Sequence, residues 1–343
     1  MSPAATSDPS AIDPTSAPDR AAAVSVRGLV KRYDEVEAVR GVSFDVAPGE
    51  TFGFLGPNGA GKSTTIKMLC TLVQPTAGHA VVAGHDVRSD RLEVRRSIGL
   101  VFQDTTLDQY LTAQENLRFH ADLYGVPRDI RDRRIDEVLE VTGLADRRSS
   151  MVLTFSGGMK RRLEIARGLI HAPRVLFLDE PTIGLDPQTR AGIWEYLREL
   201  RSRQDITIFL TTHYMDEAEN CDRIAIIDEG RIMVADTPAA LKAGVGSDRV
   251  RITTDDDTAA IAALRDRLGI EAAVHEGEVT FHVAGAERFV PRLFSELGIP
   301  IRSVAVSRPS LDDVFMNWTG RTIRDAEASS TDLARTAMWA RRR

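Results

Sequence analysis

The sequence predicts an α/β chain: a parallel sheet buried between helices, covered at one side by antiparallel strands, then a smaller α+β unit. Three observations predict it. The glycine-rich segment Gly56-Pro57-Asn58-Gly59-Ala60-Gly61-Lys62-Ser63-Thr64 lies between an alternating apolar run, Thr51 to Leu55, and a helical pattern, Thr65 to Leu69. Continuous apolar runs at Val175 to Leu178 and Ile206 to Leu210 flank a helical stretch, Ile193 to Leu200, as expected of parallel strands covered on both faces. Beyond Ser247 the patterns follow the order β-α-β-β-α-β.

At 343 residues the chain has room for one large domain and a smaller one. Its net charge of −6 gives no support to a nucleic-acid partner. Two cysteines, Cys70 and Cys221, make neither a disulfide framework nor a zinc site, so a reducing cytoplasm is expected. The apolar runs are strand-length, too short to span a bilayer, and the N-terminus lacks the basic-then-apolar order of a signal peptide. Work at a membrane would require another chain to supply the membrane part.

Residues 1–22, rich in Pro, Ala, Ser, Thr and Asp, read as a disordered leader. A large domain is expected over 23–243. Short alternating runs at Val24 to Arg27, Val42 to Val46 and Ala80 to Val82 predict antiparallel strands, with a turn at Pro48-Gly49. Ile98 to Phe102 fits a buried strand. A helical insertion follows over about 104–171, opened by a capping box, Thr112-Ala113-Gln114-Glu115, and interrupted at Gly125-Val126-Pro127. Arg223 to Ala235 reads as a hairpin turning at Glu229-Gly230, and Gly244 to Ser247 as a linker. The second unit, 248–320, is predicted to be ferredoxin-like, its middle strands meeting across Glu276-Gly277 and a further helix starting at Ser310. Residues 321–343 read as a polar, basic and loose tail.

Strand, glycine-rich turn and helix are the context in which G-x-x-x-x-G-K-[ST] cradles phosphate. Backbone N–H groups and the positive helix end face the anion, Lys62 meets the β- and γ-phosphates, and the Ser63 hydroxyl is placed to ligate Mg²⁺. The chain is therefore expected to bind a nucleoside triphosphate. The apolar strand ending in Asp179-Glu180 supplies one carboxylate for the Mg²⁺ shell, Asp179, and one to orient and deprotonate water, Glu180. Ser156-Gly157-Gly158, opening a helix, makes a second anion site, and one nucleotide does not need two cradles.

With these motifs in this order, Val24 to Ala243 resembles the ATP-binding-cassette (ABC) family of P-loop NTPases, whose signature motif matches Ser156, Gly157, Gly158, Met159 and Lys160. The resemblance implies ATP and Mg²⁺ as ligands and a head-to-tail homodimer, the signature of one copy capping the γ-phosphate on the other. It also implies roles for single residues. Gln103 matches the Q-loop glutamine that touches Mg²⁺ and water. Asp186, in Gly184-Leu185-Asp186, matches the D-loop at the dimer seam. His213 matches the switch histidine at the γ-phosphate, and Tyr33 occupies the place of the aromatic residue that stacks on adenine.

The ending Pro309-Ser310-Leu311-Asp312-Asp313-Val314-Phe315 and the stretch Thr154 to Leu163 look like drug-export ATPases of the daunorubicin/doxorubicin-resistance type. Ile183 departs slightly from the usual Pro-Thr-Thr-Gly-Leu-Asp. This likeness implies export of a hydrophobic drug through a separate ABC-2 membrane subunit, docked beside the Q-loop and helical insertion. The chain would then sit peripherally on the cytoplasmic face of the plasma membrane. A second reading makes it a soluble ATP-switched module whose C-terminal unit binds a ligand or a protein. A role for that unit in strengthening the dimer is compatible with the first reading.

Overall fold

The computed structural model describes residues 13, 16–203, 205–275 and 277–323. The chain divides into two compact units after Ala235, the second being Asp236–Ile323.

In the first unit β1 (Val24–Tyr33) and β2 (Val36–Val46) form a long antiparallel pair, Val24 opposite Val46. Then come β3 (Thr51–Leu55), α1 (Lys62–Leu69), β4 (Ala77–Val82), β5 (His85–Asp86), α2 (Arg91–Ser97) and β6 (Ile98–Val101). The helical insertion holds α3 (Ala113–Leu123), α4 (Arg128–Val141) and α5 (Gly157–Leu169). The chain returns through β7 (Val175–Asp179), α6 (Pro187–Arg203), β8 (Thr207–Thr212), α7 (Met215–Ala218), β9 (Arg223–Asp228) and β10 (Arg231–Asp236). The predicted capping box is present: the Thr112 hydroxyl accepts from the Glu115 N–H at 3.2 Å, and the Glu115 carboxylate accepts from the Thr112 N–H at 2.8 Å.

Two sheets result, antiparallel β2-β1-β4-β5 and a six-stranded sheet in the order β10-β9-β3-β8-β7-β6. In the latter β3 pairs in parallel with both β8 and β9, and β7 with β6 and β8. Phe44 of the first sheet and Phe52, Phe54, Phe177 and Phe209 of the second form one aromatic cluster, with centroid separations of 5.2–6.3 Å. Burial of these rings clamps the two sheets together.

Register sets the site. Leu55 pairs with Thr212 and Asp179 with Thr211, so β3, β7 and β8 end level. The glycine-rich loop, the two carboxylates and His213 thus emerge side by side from the carboxyl edge of a parallel sheet, where open α/β sheets bind ligands.

The second unit contains α8 (Pro238–Val245), β11 (Asp248–Thr254), α9 (Asp257–Leu268), β12 (Ala272–His275), β13 (Glu278–Val283), α10 (Ala286–Glu296), β14 (Ile301–Ser307) and α11 (Leu311–Thr319). Its sheet runs β12-β13-β11-β14 with antiparallel neighbours, the ferredoxin-like order. Val250, Ile252, Leu264, Phe281, Phe289 and Leu293 fill its core. The predicted linker needs correction. Gly244 and Val245 end α8, which Thr237 caps and Pro238 opens, and Gly246 at φ 74° stops it.

The expected leader falls mostly on residues 1–12 and 14–15, which lie outside the described residues, as do 324–343 of the expected tail and Glu276 of the expected turn. Residues 16–22 correct the leader at its inner end. The Asp19 N–H donates to Ser25 Oγ and Arg27 Nε to Ser16 Oγ, so hydrogen bonds to β1, not apolar burial, place this segment.

Candidate active site

Two glycines shape the loop after β3. A Cβ on Gly56 would lie 2.2 Å from the Ile227 carbonyl oxygen. Gly61 has φ 101°, and a Cβ there would lie 2.5 Å from the Ala38 carbonyl oxygen. Larger residues would push the loop off the sheet. The loop ends in α1, whose first residue is Lys62.

Lys62 Nζ donates to the carbonyls of Gly56 at 2.7 Å and Pro57 at 3.1 Å, and lies 3.2 Å from Glu180 Oε1. His213 Nδ1 lies 3.4 Å from the same carboxylate oxygen. Burial pushes the Glu180 carboxyl up, but the His213 hydrogen bond and the Lys62 charge outweigh it and hold the group below the ordinary glutamate value. Glu180 is therefore an anion at neutral pH. Its backbone has φ 47°, a left-handed conformation uncommon for glutamate and frequent where function dictates geometry.

Asp179 sits one residue earlier. Its Oδ1 accepts from Ser63 Oγ at 3.0 Å and from Thr211 Oγ1 at 2.6 Å, and Thr211 Oγ1 accepts in turn from the Glu180 N–H at 3.0 Å. Thr211, absent from the sequence reading, thus fixes both carboxylate residues. Its only sequence signal is a pair of hydroxyls, Thr211 and Thr212, ending a buried strand.

Helix α5 braces the cluster with side chains that sequence reasoning also missed. Arg161 is buried and donates to the carbonyls of Phe102 and Pro181, each at 2.5 Å, and of Asp179 at 3.2 Å, and pairs with Glu164 at 3.0 Å. Glu164 Oε1 accepts from the Thr106 N–H at 2.8 Å, and Arg167 donates to the Thr106 carbonyl at 3.1 Å. One helix face therefore holds both the segment carrying Gln103 and the segment carrying Glu180. The available signal is charges at i, i+3 and i+6, Arg161, Glu164 and Arg167, on one face of the helix. Arg161→Ala is expected to lower stability by about 3–5 kcal/mol, because it strands buried carbonyls and a buried carboxylate. A urea unfolding curve checks this.

Ser156 caps α5, its Oγ accepting from the Met159 N–H at 3.3 Å, and Ser156 and Gly157 are exposed. Gly158 is buried, Met159 and Lys160 half-buried. Asp186 caps α6, its Oδ1 accepting from the Thr189 N–H at 3.0 Å. Gln103 is exposed on the loop after β6. Tyr33 is exposed at the end of β1, with Lys31 Nζ 4.7 Å from its ring centroid. Lys62, Ser63, Asp179, Glu180 and His213 are thus joined in one cluster, while Tyr33, Gln103, Ser156 and Asp186 stand on four separate exposed segments.

Residues 39–183 match the family model described as ABC transporter, and residues 237–319 match the model described as ATP-binding protein DrrA1-3-like, C-terminal domain. The linearmycin resistance ATP-binding protein LnrL of Bacillus subtilis (strain 168) is 39% identical over 311 residues, 88% of this chain and 100% of that one. The chain belongs to the ABC transporter ATP-binding family. The daunorubicin/doxorubicin resistance ATP-binding protein DrrA of Streptomyces peucetius is 40% identical over 313 residues, 88% of this chain and 94% of that one. Among solved structures, the dimeric ATP-binding cassette MJ0796 in a post-hydrolysis state with ADP and Pi matches with TM-score 0.56 and 28% identity, covering 62% of this chain and 98% of that one.

As the ATP-binding subunit of an ABC transporter, this chain binds and hydrolyses ATP. No helix among the described residues is long and apolar enough to cross a membrane.

Proposed function

We propose that this ABC subunit drives efflux of a hydrophobic, antibiotic-like compound through an ABC-2 permease, from the cytoplasmic face of the plasma membrane. The observation that carries the hydrolytic part is the Glu180 carboxylate held between Lys62 and His213 at the end of β7. Phosphoryl transfer to water needs positioning and charge stabilisation more than covalent chemistry. The glycine-rich loop, Gly56 to Thr64, wraps the phosphates, and Lys62 turns from Glu180 and the loop carbonyls to the β- and γ-phosphates. Glu180, released from Lys62, orients the attacking water and takes its proton. His213 holds that carboxylate and meets the γ-phosphate, and Tyr33 stacks on adenine.

The Ser63 hydroxyl and Asp179 carboxylate, 3.0 Å apart, are hard oxygen donors of the kind Mg²⁺ takes, and Gln103 would complete the protein's share. Magnesium held there would supply positive charge to the phosphates. Ser156, Gly157, Gly158, Met159 and Lys160 cap the γ-phosphate bound to a second copy, with Asp186 at the seam. The exposure of Ser156 and Gly157, against the burial of Lys62 and Glu180, supports two separate halves that a dimer brings together.

A cavity of about 290 Å³ beside the loop carrying Gln103, lined by Leu72, Phe102, Tyr124 and Arg167, together with exposed Phe119 and Leu123, supports docking of the permease there. The second unit is similar to the C-terminal domain of DrrA1-3-like proteins, and relatives named for linearmycin and daunorubicin resistance support an antibiotic as cargo. Membrane vesicles carrying this chain and its permease are expected to accumulate daunorubicin or a linearmycin only with ATP. No ATP-dependent uptake, with turnover indifferent to the permease, would favour a soluble switch instead.

A further inference from the structure

His213 sits on the loop after β8, and its hydrogen bond to Glu180 is long, 3.4 Å, too weak to fix an imidazole by itself. The chain surrounds it with a closed circuit of contacts. The Tyr214 ring lies 4.0 Å from the His213 ring, centroid to centroid, tilted by 40°. The Arg190 guanidinium lies 3.9 Å from the Tyr214 centroid, and Arg190 Nε lies 3.8 Å from Oε1 of Glu217. Glu217, almost wholly buried, accepts a hydrogen bond from the Thr182 hydroxyl. Thr182 follows Glu180 by two residues, so the circuit that leaves Glu180 through His213 returns to the same loop.

We propose that Arg190 and Tyr214 are positioning residues that hold the His213 imidazole against Glu180 during hydrolysis. The inference rests on the assignment of Glu180 and His213 to the reaction. A planar guanidinium suits the place, because it can lie over an aromatic face while its edge meets a carboxylate. A flexible histidine would sample rotamers in which Glu180 loses its partner, and misplacement of about 1 Å can cost about 10²-fold in rate. The base of the clamp is the first turn of α6, which Asp186 caps. There Thr189 packs so closely on Gly158 of α5 that a Cβ on that glycine would lie 2.4 Å from Thr189 Cγ2. The turn that holds His213 in place is therefore seated on the helix that begins with the signature residues.

Steady-state ATP hydrolysis by the full-length chain tests this. Tyr214→Leu is expected to lower kcat about tenfold or more with KM for ATP unchanged, and Tyr214→Phe, which keeps the ring, to restore it. In a His213→Ala background Tyr214→Leu should cost nothing further, since its effect passes through the imidazole. Wild-type kcat in Tyr214→Leu, or an equal loss in the presence and absence of His213, overturns the clamp. A costly His213→Ala beside a silent Tyr214→Leu overturns the clamp alone. A His213→Ala chain that turns over at the wild-type rate overturns the assignment of His213 and the clamp together.

Discussion

Glu180→Gln is expected to lower ATP turnover about 10²-fold or more while ATP binding is retained or tightened. The reason lies in two contacts of one oxygen. Glu180 Oε1 is 3.2 Å from Lys62 Nζ and 3.4 Å from His213 Nδ1, and the carboxyl is held in its charged form. Glutamine keeps the size and a hydrogen bond but cannot accept a proton from water, so the chemical step suffers. It also removes the anion that competes with phosphate for Lys62, so nucleotide gains access to that charge more easily. Because ATP then persists, the variant should accumulate as an ATP-held dimer, read by size-exclusion chromatography with Mg²⁺ and ATP. Turnover at the wild-type rate would show that Glu180 is not the base.

Lys62→Ala should cost more, because it strikes binding and chemistry at once. The β- and γ-phosphates lose their point charge, and removal of one oriented donor at a phosphoryl centre costs about 10²–10³-fold. Glu180 would also be left buried with only His213 beside it, a desolvated carboxylate short of its cation. The variant should therefore show weak ATP binding and almost no hydrolysis. ATP affinity by equilibrium dialysis and phosphate release together check it. Wild-type affinity would mean that the glycine-rich backbone alone carries the phosphates.

Much of this was legible in the sequence, for a local reason. A phosphate loop needs its glycines, lysine and hydroxyl at fixed spacing, and the strand before and helix after it show their own periods. The capping box at Thr112 and the β-α-β-β-α-β order are local in the same way. Features assembled from distant segments were not legible. Thr211 meets Asp179 from the neighbouring strand, 32 residues along the chain, and Arg161 gathers carbonyls from Phe102, Asp179 and Pro181. Neither motif spacing nor periodicity encodes such convergence. Nor does residue type announce the left-handed backbone of Glu180. Gly244 and Gly246 suggest a linker, whereas Thr237-Pro238 starts helix α8, which only the second glycine ends.

Under the proposed function, each nucleotide pocket is completed by the other copy. The most direct measurement mixes two defective chains, Lys62→Ala and Ser156→Arg, and follows ATP hydrolysis. Each alone should be inactive. In the mixed dimer the intact Lys62 of one chain faces the intact Ser156 of the other, so activity should appear that neither variant has by itself. If the pocket were complete within one chain, every chain in the mixture would carry a defect in its only site. A mixture under conditions of subunit exchange that stays as inactive as its components would show that the two copies do not share a pocket.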